Sequence, residues 1–382
     1  MTKNDIKIKQ VCAIFLAFLP LSKIITAPAQ FAALTGEKLW QPLIVLFTAD
    51  FLLMFLIYAI YKINENQTFY SILKNGYGET FAKIVYFVYA IFFMFKAYVP
   101  LLEHKNLIER SFYEVLPVSP VFYPFFLVSF YISLKGLKVL GRAAEFSIFI
   151  TWTGLFLVFY LAVSGGDWAN LLPLFYGSTK STAICSLNGL LWFNDAIYLL
   201  FFLGHFSGEK KPFLKIILSY AVPAVSVIFF YCCFYAVFSY VAPTQSFAVG
   251  SVGIFSVALE NVGRFDYLAV FLIAAVNIYS VTLPIVVSVK CFERAFSLKS
   301  ALIPAIAVNA LLFVIIIFFS QKYNQTVKFS YKYITPFFLF CGYILPFIAL
   351  KRTKKPNFEQ NDMQNTKLLD NLKKVRQAEG LK

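Results

Sequence analysis

The chain has 382 residues, of which 60% are hydrophobic, 19% aromatic and 14% charged, and its formal net charge is +15. That balance is far more apolar than a soluble domain of this length shows, and it excludes a nucleic-acid module, whose Lys and Arg cluster on one folded face; here the charges fall between apolar runs. The six cysteines lack CxxC spacing and only two histidines accompany them, so neither a disulfide framework nor a structural zinc site is indicated, and no Gly-rich phosphate loop or other cofactor motif is present.

A membrane span needs about 20 mainly apolar residues. Ten segments qualify: 11–31, 43–61, 81–102, 121–134, 146–163, 187–206, 214–241, 267–289, 302–319 and 333–350. All are read as helices, because a lone strand or loop leaves backbone groups unpaired in hydrocarbon. The expected fold is therefore an all-α polytopic membrane protein with a short tail over 1–10, a transmembrane domain over 11–350 and a basic, solvated tail over 351–382.

The first segment follows Lys3, Lys7 and Lys9 and ends near Ala27-Pro28-Ala29, features of a signal peptide. The proline inside the would-be cleavage site and the spans that follow favour a retained span. Its centre reads LPLSKIITAP, with Lys23 between Pro20 and Pro28. Each proline lacks a backbone donor, and Ser22 and Thr26 are placed to satisfy carbonyls freed there, so the expected structure is a span broken near its middle with Lys23 at the break. A kinked helix from which Lys23 snorkels to an interface is the plainer alternative.

Asp50 lies in the second segment, either paired with a lysine or accepting bonds from neighbouring helices. Lys96 lies in the third, where snorkelling competes with an interior role. The fourth segment is short. In the sixth, SLNGLLWFNDAIYLLFFLG interrupts an aromatic run with Gly189, Asn194 and Asp195. Trp192, Phe193 and Tyr198 beside that interruption suit an aromatic ligand or simple packing between spans. Span eight carries AAVNIYSVTLP, whose Asn277, Tyr279, Ser280 and Thr282 either line a cavity or bond between helices.

Lys and Arg fix an orientation. With the first residues inside, inner segments hold 24 and outer loops 8, which puts both termini in the cytoplasm. Lys23 and Lys96 are left at membrane depth. Ionisable groups there cost from about 2.5 kcal/mol upward, so they face a protein interior and have partners. Spans one and six both carry polar interruptions, five apart in order, as an inverted-repeat transporter predicts for helices that meet at mid-membrane to build a site. Enzyme chemistry is disfavoured, since His104 and His205 lie at opposite ends of their spans and form no Ser/His/Asp or metal pair.

LPLSKIITAP, then FYSILKNGYGETFAKIVYFVYAIFF, GLKVLGRAAEF, DWANLLPLF and ENVGRFDYLAVF, in that order, resemble the B subunits of spore germination nutrient receptors, within the amino acid–polyamine–organocation transporter superfamily. The resemblance runs over nearly all of residues 7–352. It implies a LeuT-like fold of ten helices in two inverted five-helix repeats, with a small-molecule pocket, often for an amino acid, between broken helices one and six. It further implies A- and C-type partner subunits and residence in the inner membrane of the spore; the apolar spans imply contact with membrane lipid, and close relatives of the same fold transport amino acids. The chain departs from that pattern at its centre. Leu21 and Lys23 stand where small residues, often glycine, are usual in helix one, and Asp195 stands at a glycine position of helix six.

The expected substrate-binding residues are Ser22, Lys23, Ile24, Thr26, Phe193, Asn194, Asp195, Asn277 and Ser280, with Lys23 and Asp195 facing each other as an internal charge pair. Three roles are open to that pair: to bind a ligand's carboxylate and amine, to replace a coupling cation, or to plug the pocket.

Overall fold

The computed structural model describes residues 6–64, 67–112, 122–173, 178–204, 212–254, 266–319 and 323–350, and every regular element among them is helical. The expected tail over 351–382, His205 and the first five residues lie outside the described residues.

The first span is two helices. α1 (Ile8–Phe18) and α2 (Ala27–Thr35) are joined through a 3-10 turn at Leu21–Lys23, and the two halves are bent by 56°. The prolines act differently from each other. Pro20 introduces the turn, whereas Pro28 sits in the first turn of α2, where a helix needs no donor, and so starts the second half rather than kinking the first.

The chain continues through α3 (Trp40–Ile63), α4 (Phe69–Tyr77) and α5 (Glu79–Phe112), a 34-residue helix that carries Pro100 in its interior. α6 (Pro124–Lys135) has only 12 residues and passes through Gly136, at φ 79, straight into α7 (Leu137–Gly165). The sixth expected span is again two pieces, α8 (Thr179–Gly189) and the five-residue α9 (Tyr198–Phe202). α10 (Pro212–Phe238), α11 (Ala248–Ile254), α12 (Asp266–Ala295), α13 (Leu302–Phe319) and α14 (Tyr323–Leu339) follow, and a π-helical turn at Phe340–Ile344 leads into α15 (Leu345–Leu350).

Six of these helices, together with the continuous run of α14, the π turn and α15, make seven segments long and apolar enough to cross a membrane, and the bent α1–α2 pair makes eight. The expected ten differ at α6, which is too short at 12 residues, and at the divided α8–α9. Several expected limits also move. α5 runs ten residues past 102, α7 begins at Leu137 rather than 146, and α14 begins at Tyr323 rather than 333. As a result Lys105, Arg110, Lys138, Arg142, Lys328 and Lys332, counted from the sequence as loop charges, lie on helices.

α5 and α12 pack along each other and form the central pair. α12 also leans on α7, α7 on α1, and α1 on α10. Side-chain hydroxyls stitch this interior together, as when Ser288 on α12 donates to the carbonyl of Ala90 on α5 at 2.8 Å, the kind of bond that substitutes for hydrophobic drive between helices in lipid. The periphery is apolar: Phe149 is 78% exposed and Leu127 72%. A surface of that kind belongs against hydrocarbon. The fold is that of an integral membrane protein.

Candidate functional site

Breaking a helix inside a membrane frees carbonyls that must find donors. At the first break the donors come almost entirely from other elements. Thr151 on α7 donates to the carbonyl of Ala17 at 3.1 Å, Ser280 on α12 to Phe18 at 3.0 Å, and Tyr231 on α10 to Lys23 at 2.9 Å. The backbone N–H of Ala248 reaches the Ile25 carbonyl at 2.7 Å, and the Lys23 ammonium turns back to Leu19 at 2.8 Å. Ser22 and Thr26, expected to serve this purpose, do other things: Ser22 lines a cavity and the Thr26 hydroxyl is directed to Glu103.

At the second break α8 stops at Gly189. A Cβ there would lie 2.7 Å from the Leu46 side chain and 2.8 Å from that of Phe31, so a larger residue would force both to shift, and glycine lets α8 approach α2 and α3 this closely. Asn194 then turns the chain with φ 66, a left-handed conformation that asparagine tolerates better than most residues. Its side-chain amide donates to the Phe338 carbonyl on α14 at 3.4 Å and sits over Gly342 in the π turn, where a Cβ would be 1.7 Å from the amide nitrogen.

The two breaks meet through charge. Lys23 is fully buried and its ammonium bonds Asp195 Oδ2. Lys96, 5% exposed on α5, holds the other oxygen of the same carboxylate at 3.1 Å and donates to the Phe193 carbonyl at 2.5 Å. Neither lysine snorkels. Each ammonium also lies over an aromatic face, Lys23 at 5.3 Å from the Phe193 ring centre and Lys96 at 5.6 Å from that of Tyr198. A second buried carboxylate adjoins them. Asp50 accepts from the Asp195 backbone N–H at 3.1 Å, from Tyr220 at 2.5 Å and from Tyr343 at 3.1 Å. Of the two roles open to it in the sequence, it takes the second, accepting bonds from neighbouring elements.

Two ammoniums and two carboxylates thus form a neutral, buried quartet. At 3.1 Å and an effective dielectric near 20, the Lys96–Asp195 attraction is about 5 kcal/mol before the cost of desolvation. Neutrality is what lets four ionisable groups persist in this setting.

A small cavity of about 30 Å³ opens beside the quartet, lined by Ser22, Lys96, Pro100, Trp192, Asp195 and Ser280 among others. It has room for about two waters and not for an amino acid in this conformation. Pro100 removes the donor that the Lys96 carbonyl would otherwise receive, which loosens α5 beside the cavity.

Of the expected site residues, the structure brings Ser22, Lys23, Phe193, Asn194, Asp195 and Ser280 together at the two breaks. Ile24 is buried where the 3-10 turn ends and contributes only apolar packing. Asn277 stands apart, paired with His104 Nδ1 at 3.1 Å. Thr26 belongs to a second polar cluster around Glu103. The Glu103 Oε1 atom contacts the Thr26 hydroxyl, Trp192 Nε1 at 2.6 Å and the Tyr323 hydroxyl at 2.9 Å. Glu103 is absent from the expected site because it lies just beyond residue 102, the expected end of the third span. The signal was present in spacing: Glu103 is seven positions, two helical turns, beyond Lys96 and so on the same face of α5.

Helix breaks facing each other inside a membrane protein, with ionisable side chains at their ends, are the construction of permeases. The chain's family agrees with that class. The family model for spore germination proteins matches residues 5–327, and the chain belongs to that family. Comparison with individual curated proteins gives no match.

Proposed function

We propose that this protein is the small-molecule-sensing membrane subunit of a spore germination nutrient receptor, and that an amino acid binds between the first and sixth spans. The observation that carries this reading is the sharing of Asp195 between Lys23 and Lys96 at the junction of the two helix breaks. A zwitterionic ligand has the groups to replace each half of that arrangement: its carboxylate takes the lysines and its amine takes Asp195. On this reading the closed quartet is the ligand-free partner of a binding state, and the ligand acts by its unequal affinity for the two. Asn277 and Ser280 on α12 would then flank the opened pocket from the far side.

The same reading takes α6 and the divided α8–α9 as the fourth and sixth of ten spans in two inverted five-helix repeats, since the two breaks lie five spans apart. Both termini are cytoplasmic, in accord with the excess of Lys and Arg on that side, and the membrane is the inner membrane of the spore. A- and C-type receptor subunits are its partners, and lipid covers the apolar periphery.

The test is thermal unfolding of the detergent-purified protein against an amino acid panel, with nucleosides, sugars and polyamines as further classes, repeated with Lys23→Met and Asp195→Asn. A ligand that raises the melting temperature of the wild type by mass action and of neither variant supports the site. No stabilisation by any class, with restored stability in the double variant, makes the quartet a plug instead. Proton- or ion-coupled transport is distinguished by uptake of the same ligand into proteoliposomes.

A further inference from the structure

Glu103 is fully buried, and among the described residues no Lys or Arg pairs with it. Its near neighbours in sequence are engaged elsewhere, His104 with Asn277 and Lys105 with Glu109 at 3.1 Å. The other titratable groups facing it are phenols, Tyr231 on α10 and Tyr323 and Tyr331 on α14. An ionised carboxylate in such surroundings has no compensating charge.

The hydrogen atoms can be counted. Glu103 Oε1, the Thr26 hydroxyl and the Tyr323 hydroxyl lie within hydrogen-bonding distance of one another, with Thr26 and Tyr323 2.8 Å apart. Three oxygen–oxygen contacts need three protons, and the two hydroxyls supply two. If Glu103 carries the third, each group donates once: Glu103 to Thr26, Thr26 to Tyr323, and Tyr323 back to Glu103. Trp192 then donates to the same oxygen from outside the ring. The remaining atom, Glu103 Oε2, is buried with no hydrogen-bond partner among the described residues. A neutral carbonyl oxygen bears that isolation far better than one half of a carboxylate.

We infer that Glu103 is a proton-binding site distinct from the Lys23–Asp195–Lys96–Asp50 quartet, and that its proton clasps the first break, the second break and α14 together. Thr26 lies at the start of α2, Trp192 within the sixth-span interruption, and Tyr323 at the start of α14. Loss of the proton removes one bond of the ring and leaves a buried negative charge with no cation beside it, so the clasp weakens. The inference does not depend on which ligand the protein senses, or on its sensing one.

Infrared difference spectroscopy of the purified full-length protein against Glu103→Gln tests it. The expected result is a protonated-carboxyl stretch in the wild type at neutral pH that is missing from the variant and disappears as pH rises. The amide of Glu103→Gln cannot ionise, and at the ring position it offers an acceptor or a donor but not both, so the variant should melt lower at neutral pH and lose the fall with rising pH that the wild type shows. If Glu103→Gln does not fold, Tyr323→Phe serves, since it keeps the carboxyl and should shift the stretch by removing one donor. A wild-type spectrum without that stretch, or one unchanged in these variants, overturns the proposal.

Discussion

Lys96 Nζ lies 3.1 Å from Asp195 Oδ1, while Lys23 holds the opposite oxygen of the same carboxylate. Asp195 is therefore the shared counter-ion of α5 and the first break. Removing it strands two ammoniums with Asp50 as their remaining carboxylate neighbour. Asp195→Asn should destabilise the protein by about 3–5 kcal/mol, the usual result of breaking a buried pair from one side. Lys23→Met should cost less, because Lys96 still pairs with Asp195. The double variant should be more stable than the sum of the two losses predicts. Thermal or denaturant unfolding of all three in one detergent closes the cycle.

Asp50 depends on uncharged donors. Tyr220→Phe and Tyr343→Phe each remove one of its hydroxyl bonds, and each should cost about 1.5–3 kcal/mol, as expected for a bond to a charged group. Tyr220→Phe should be the more damaging, because that bond is the shorter and is fully buried. Chemical unfolding of the two variants gives the ranking.

Asn194 and Gly342 are coupled by shape. Gly342→Ala puts a methyl group into the Asn194 amide and should cost about 1–3 kcal/mol or more, as overpacking does. Asn194→Gly keeps the left-handed turn and makes room, so Asn194→Gly/Gly342→Ala should recover part of the loss, whereas Asn194→Ala should lose about 1–2 kcal/mol from the backbone alone. Expression level and melting temperature report both effects.

Ser280 tests the role of α12 at the first break. Ser280→Ala leaves the Phe18 carbonyl without its donor and should cost about 1–3 kcal/mol in unfolding experiments. Thr282→Ala should cost much less, since its hydroxyl bonds only the Ile278 carbonyl within its own helix.

The breaks were legible because they violate their surroundings: a lysine between two prolines, and an Asn-Asp pair in an aromatic run, are costly in lipid unless a structure needs them. The partners of those residues were less so. Lys96 could be seen as a charge at membrane depth, but nothing in FFMFKAYVP tells that its ammonium crosses to α9's leading turn. Glu103 is hidden by the counting of about 20 apolar residues to a span. α5 continues for 34 and carries Glu103 and His104 inward. The short fourth span misleads in the opposite way. Lys138, Arg142 and Glu145 look like loop residues, yet a helix end outside hydrocarbon accommodates charges readily, and α7 begins before them.

The π turn at Phe340–Ile344 gives the last span a mechanical character that its sequence does not advertise. A π turn holds one residue more than the α-helical ladder requires, so it is a stored register shift that can be taken up or released. Tyr343, inside it, bonds Asp50, and Gly342, also inside it, receives the Asn194 amide. Returning the turn to α geometry would rotate everything on one side of it by about 100° relative to the other. Both contacts would be lost in a single motion, which makes the last span a spring wound against the second and the sixth.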